Sequence, residues 1–144
     1  MDKVSAEIRT KTMKAIKSKQ TRLEKLITSE LWGRGFRFRK NVASLLGKPD
    51  ISIKKYKIVI FIDSCFWHGC QLHCRVPKSN IEFWDKKILR NRERDSFITK
   101  HYESNGWNIL RIWEHDLQEN YSLTIDLIVQ FITSAKNKET KNIV

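Results

Sequence analysis

The run KIVIFI, residues 57–62, is apolar on both faces of a strand and passes directly into DSCFWHGCQLHC, residues 63–74, which holds all three cysteines and two of the four histidines. A strand of that kind belongs in the middle of a sheet covered on each side, so the cysteine-rich loop must leave from the end of a central strand. Cys65, Cys70, His73 and Cys74 have the close spacing with which a turn wraps soft ligands around Zn²⁺. Cysteines that merely fill a core are the plainer alternative. A segment that also carries Gly69, Gln71 and two histidines makes a poor core. Four protein ligands would leave no open coordination position, so a zinc here would be structural and would fix the loop.

Strand and helix signals place the rest of the chain around that centre. Thr21 and Glu24 form an S/T-x-x-E capping box, and Leu23, Leu26, Ile27 and Leu31 then line one helix face that ends near Gly33 and Gly35. FRFRK, residues 36–40, alternates like a short strand. Residues 50–53 and 57–63 are β-branched runs joined by a lysine-rich turn and read as a hairpin. Ser79 and Glu82 make a second capping box, opening a long helix through Trp84 and Ile88 to Tyr102, with Asn105-Gly106 as its stop. WNILRIW, residues 107–113, is then a strand, expected to be buried on both faces. A strand that follows a long helix implies a crossover to a parallel neighbour, here the KIVIFID strand. His115 follows that strand by two residues, near the exit of the cysteine loop, and is expected as the remaining zinc ligand beside Cys65, Cys70 and His73, with Cys74 a rival for one position. An amphipathic helix over residues 123–132 closes the domain, and the polar remainder reads as a tail.

The expected organisation is a basic N-terminal segment over 1–20, one domain over 21–135 and a polar tail over 136–144. With 144 residues, 40% hydrophobic content and five tryptophans, a substantial core is expected. The net charge of +12, from 28 Lys and Arg against 16 Asp and Glu, points to a polyanionic partner, with nucleic acid first. A solvated basic surface is the bland alternative. No apolar run approaches the roughly 20 residues of a membrane span, and the N-terminus lacks a signal peptide's apolar core, so a cytoplasmic, nucleoid-associated protein is expected. In that compartment three cysteines favour metal or thiols over disulfides.

Pro49-Asp50 opens one hairpin strand and Asp63 ends its partner, thirteen residues on. This is the layout of a PD-(D/E)xK nuclease site, in which two carboxylates hold a Mg²⁺ ion against a scissile phosphate. The motif's lysine is absent, because Cys65 stands at its place. His68 is the nearby group able to activate water. A strand-edge aspartate is often only a turn residue, and a loop histidine only a surface one.

CFWHGC, GKPD, VPKSNIEFW, NRERD and GWNILRIWEH, all between about Thr10 and His115, together resemble the very-short-patch repair (Vsr) endonucleases. The resemblance implies an α/β fold of the PD-(D/E)xK restriction-endonuclease type, a single domain with a central mixed β-sheet flanked by helices and a structural zinc. It implies Mg²⁺-dependent nicking of one strand of double-stranded DNA beside T:G mismatches left by deamination of 5-methylcytosine. Asp50 matches the family's Mg²⁺-binding aspartate, His68 its general-base histidine, and Glu24 the glutamate that supports the site, although the capping box also accounts for Glu24. Ile62-Asp63 stands where the family pattern carries Thr-His, and Asp63 is expected to substitute as the second Mg²⁺ ligand. The zinc set is likewise altered in composition.

Phe66, Trp67 and Trp84 match aromatics that wedge into the base stack. Inserting apolar rings is cheapest at a step that a mismatch has already weakened. Trp84 shares a helical stripe with Ile81 and Ile88, so core packing competes for it. Arg9, Lys11, Lys14 and Lys17 resemble the family's N-terminal DNA-contacting region. A monomer, functionally linked to a DNA cytosine-5 methyltransferase and to general mismatch-repair proteins, completes the expectation. The alternatives are a non-catalytic zinc-stabilised DNA-binding module and a restriction or antiviral nuclease on the same fold.

Overall fold

The computed structural model describes residue 14 and residues 22–65 and 81–143. Its sheet has four strands in the order β1-β2-β3-β4, namely Arg39–Lys40, Ile51–Ile53, Ile58–Asp63 and Asn108–Trp113. The hairpin forms as its sequence predicts. β2 and β3 pair antiparallel, with Ile51 opposite Ile60 and Ser52 opposite Val59, around a single helical turn over Lys54–Tyr56 and a left-handed Lys57. Every residue of β3 is buried. β4 lies parallel to β3, with Phe61 beside Arg111 and Asp63 beside Trp113, as a crossover through the long helix requires.

Period-two alternation divides the side chains of this sheet between two layers. Ile51, Ile58, Ile60, Ile62 and Ile112 face the main core, which Ile27 and Leu31 of the first helix (α1, described over 22–33) and Ile125, Ile128 and Ile132 of the last helix complete. Val59 and Phe61 point the opposite way, toward Ile98 and Tyr102 of α2, Ile81–Ser104. α2 ends in a Schellman turn. Gly106 takes the left-handed conformation (φ +75°), its N–H reaches the Glu103 carbonyl at 3.2 Å, and the Trp107 N–H reaches that of Tyr102 at 2.9 Å. The apolar contact that accompanies this motif is the edge-on pair of Tyr102 and Trp107, 5.5 Å between ring centroids.

Four sequence expectations are corrected. Leu26 is 52% exposed, because the buried stripe of α1 is narrow and centred on Ile27 and Leu31. Of residues 36–40 only Arg39–Lys40 pair as a strand, while Phe36 and Phe38 pack half-buried against the main core. β4 is only partly buried: among the described residues it pairs on one side only, Leu110 and Ile112 pack into one cluster and Ile109 against the other, and of its six residues Ile112 alone is buried. The chain after β4 makes a short helix, α3 (Glu114–Glu119), and then α4 runs from Tyr121 to Ile143, well past its apolar stripe. Residues 133–143 are mostly fair helix formers that extend a turn already nucleated, and Lys136 caps the rings of Phe36 and Tyr56 at 5.5 and 5.4 Å. Among the described residues, no helix is long and apolar enough to cross a membrane.

Candidate active site

Asp50 stands just before β2, behind the fully buried Pro49. Alternation along β2 puts its side chain on the α2 side of the sheet, with Ser52, Val59, Phe61 and Asp63. Its Oδ2 accepts a 2.6 Å hydrogen bond from the Ile62 N–H of β3, so the carboxylate is fixed across the strand gap. Its carbonyl accepts from the Asn41 N–H at 3.3 Å, and the Asn41 amide in turn donates to Glu24 Oε1 at 2.8 Å. Glu24 is therefore joined to the Asp50 strand through Asn41. Thr21, its partner in the expected capping box, lies outside the described residues, as does Ser79.

Asp63 ends β3 and is only 5% exposed. Arg111 Nη1 meets both of its oxygens, at 2.9 and 3.2 Å. Asp50, Asp63 and Arg111 line one cleft of about 950 Å³, whose other walls include Arg94, His101 and the loop at Leu46. That loop is held by Tyr102, whose hydroxyl donates to the Leu46 carbonyl at 2.6 Å. Burial pushes the Tyr102 phenol above its ordinary range.

Gly47 forms part of the same wall at φ +76°, and a Cβ there would stand 2.9 Å from Ile98 Cδ1 and 3.2 Å from Phe61 Cε1. Gly47→Ala is therefore expected to destabilise the protein by about 1–3 kcal/mol through overpacking and left-handed strain. Denaturant titration checks this; an unchanged midpoint would show that the loop shifts freely.

Sequence reasoning missed Arg111. The available signal was one charged residue inside the largely apolar strand NILRIW, at a position whose parity directs it to the same sheet face as Asp63.

A second cluster lies beyond the strand ends. Cys65 Sγ is 3.2 Å from His115 Nδ1, although fifty residues separate them. Zinc bonds of about 2.3 Å to sulfur and 2.0 Å to nitrogen at a tetrahedral angle put the two ligand atoms about 3.5 Å apart. The observed separation is about 0.3 Å shorter than that edge and is also the distance of a thiol–imidazole hydrogen bond. The other ring nitrogen, Nε2, lies 3.4 Å from Asp116 Oδ1, the outer carboxylate partner that orients many metal-bound histidines. Glu114 Oε1 accepts from the Cys65 N–H at 3.0 Å and so fixes the start of the loop against α3. Among the described residues, no group of three or more metal-ligating side chains converges. Cys70, His73 and Cys74 lie outside the described residues, as do His68, Phe66, Trp67, Arg9, Lys11 and Lys17. Lys14 is helical and exposed. Trp84 is 4% exposed and packs edge-on against Phe83, 5.0 Å between centroids, so this conformation uses it in packing.

Comparison with known proteins gives the site its context. The family model described as DNA mismatch endonuclease Vsr matches residues 1–75, a stretch that includes Glu24, Asp50, Asp63 and Cys65. A type II nicking enzyme of Haemophilus parainfluenzae, V.HpaIIP, is 47% identical over 123 residues, covering 83% of this chain and 87% of its own. Another from Neisseria meningitidis serogroup C, V.NmeDIP, is 40% identical over 134 residues, 92% and 90% of the two chains. The DNA mismatch endonuclease Vsr of Escherichia coli K12 is 39% identical over 125 residues, 85% of this chain and 79% of its own. With a two-carboxylate cleft at the end of a central strand and relatives matched along most of their length, this chain belongs to the Vsr family of DNA mismatch endonucleases.

Proposed function

We propose that this DNA endonuclease nicks one strand of duplex DNA beside a T:G mismatch, in a Mg²⁺-dependent hydrolysis centred on Asp50 and Asp63. The observation that carries the reading is the pair of carboxylates on one face of adjacent strands, opening into one cleft, in a chain 37–47% identical to nicking and mismatch enzymes. The donor set is all oxygen and anionic, which suits a hard cation that retains waters and takes phosphate oxygens as its remaining ligands. Bound Mg²⁺ would supply positive charge beside the scissile phosphate. Asp50, pinned by the Ile62 N–H, holds its place without reorganisation, and Glu24 steadies the same edge through Asn41. His68 accepts the proton of the attacking water as the water's oxygen bonds to phosphorus, while one P–O ester bond breaks with its electron pair leaving on the released sugar oxygen, which takes a proton from solvent.

Phe66 and Trp67 are the proposed wedge, entering where a T:G pair has already weakened stacking. Trp84, 4% exposed here, is the third proposed wedge residue and would have to leave its packing to join Phe66 and Trp67. The basic N-terminal residues Arg9, Lys11, Lys14 and Lys17 add phosphate contacts, in line with the net charge of +12. Zinc bound by Cys65, Cys70, His73 or Cys74, and His115 stiffens the loop that carries both His68 and the wedge. The Cys65–His115 approach and the Asp116 partner support this assignment. Such an enzyme acts as a monomer on an asymmetric lesion in chromosomal DNA. It is functionally linked to the cytosine-5 methyltransferase whose sites deaminate, and to general mismatch repair.

Cleavage of duplexes labelled on each strand in turn, matched or carrying one T:G pair in varied contexts, with Mg²⁺ or EDTA, tests this. The expected result is a Mg²⁺-dependent nick on the thymine strand of mismatched duplex only. Equal cutting of matched DNA would favour a restriction-type nuclease, and binding without cutting in any context would favour a DNA-binding module.

A further inference from the structure

We propose that Arg111 is a positioning residue for the cleft's cation site, acting through Asp63; the inference rests on the reading of Asp50 and Asp63 as a cation site. In a (D/E)xK arrangement, a cation two residues along the strand shares the acid's sheet face, because side chains alternate. Here that position is Cys65, directed to His115. The positive group beside Asp63 comes instead from the neighbouring strand, where Arg111 lies in register with Phe61.

What distinguishes Arg111 from an ordinary ion-pair partner is how firmly it is held before it meets the carboxylate. Nε donates to Thr99 Oγ1 at 2.7 Å, Nη2 donates to the Asp95 carbonyl at 3.2 Å, and the guanidinium lies 4.5 Å over the Phe61 ring. Asp95 Oδ1 stands further off, at 3.9 Å. Anchors from α2 and β3 therefore set the plane of the fork, and Nη1 then sets the plane of the Asp63 carboxylate through both oxygens. A carboxylate already oriented loses less freedom when it takes a metal ion. Orienting partners contribute to metal affinity although they never touch the metal; the guanidinium charge works against the cation, so the proposal requires that orientation outweigh this repulsion, and tighter Mn²⁺ binding in Arg111→Met would overturn it.

The test reads Mn²⁺ binding to the full-length protein from the free-ion electron paramagnetic resonance signal, without substrate and apart from activity. Asp50→Asn and Asp63→Asn are expected to weaken binding, and Arg111→Met to weaken it roughly 10–100-fold, the usual range for an orienting partner. Arg111→Lys, which keeps the charge but loses the fork, should fall between wild type and Arg111→Met. Asp63→Asn/Arg111→Met should bind no more weakly than Asp63→Asn alone, because the arginine acts only through the aspartate. The lysine variant and the double variant leave no buried unpaired carboxylate at Asp63, so they keep the test open if Arg111→Met does not fold. Unchanged Mn²⁺ affinity in Arg111→Lys, or additive losses in the double variant, would overturn the positioning role while leaving the cation site intact. Unchanged affinity in both aspartate variants would remove the cation site itself, and the role of Arg111 with it.

Discussion

Asp50→Asn is expected to lower the single-turnover rate of strand nicking by about a thousandfold or more, while the affinity for mismatched duplex stays within a few-fold of wild type. The substitution removes one charge and almost nothing else. The side-chain oxygen of the introduced amide would still accept from the Ile62 N–H, which Asp50 engages at 2.6 Å, so the β2–β3 junction is retained. What is lost is an anionic cation ligand, and charge stabilisation by a bound metal is worth several kcal/mol, with each decade of rate costing about 1.36 kcal/mol. Electrophoretic resolution of nicked product, alongside a binding isotherm, separates the two quantities. Wild-type cutting by Asp50→Asn would show that the cleft is not where hydrolysis occurs.

Loss of the proposed zinc site is expected to act on the fold. Cys65→Ala or His115→Ala should release one equivalent of zinc per chain and lower Tm by about 10 °C or more, because the free energy of structural zinc binding is largely folding free energy. The effect should reach catalysis indirectly, since Cys65 follows Asp63 by two residues and the loop beyond it carries His68. Cys65 also ties that loop to α3 through Glu114, and this hydrogen bond uses the backbone N–H, so it survives the alanine substitution. A large drop in Tm accompanied by release of zinc therefore reports the metal and not the backbone tie. Metal analysis finding no zinc in wild type, together with an unchanged Tm in the variants, would reduce the Cys65–His115 contact to an ordinary thiol–imidazole hydrogen bond.

The sequence made the centre of the molecule legible and its periphery much less so. KIVIFI could be placed because a strand apolar on both faces has one station in a sheet, and the hairpin register then carried Asp50 to the same face as Asp63. The meeting of Cys65 with His115 followed from the parallel placement of β4, which brings both strand ends to one side. Leu26 and the polar end of α4 were misjudged for a common reason. Apolar spacing says which residues a helix can bury, whereas where the stripe is covered depends on neighbours, and how far the helix continues depends on propensity. Glu24 had two competing explanations in sequence, and the hydrogen bond to Asn41 joins it to the Asp50 strand. Arg111 carried a signal, a charge within a strand expected to be buried, but the partner it meets depends on the register of β4 against β3, and only that pairing shows that it faces a buried carboxylate.

Two metals are proposed for two neighbouring clusters: a hard cation on Asp50 and Asp63 for hydrolysis, and zinc on Cys65 and His115 for structure. Anomalous scattering from crystals of the full chain grown with Mn²⁺, collected at the manganese and zinc edges, tests that division most directly. The expected result is a manganese peak in the cleft between the Asp50 and Asp63 carboxylates and a separate zinc peak at Cys65 Sγ and His115 Nδ1. A cleft without manganese, or a single metal shared by the two clusters, would contradict it.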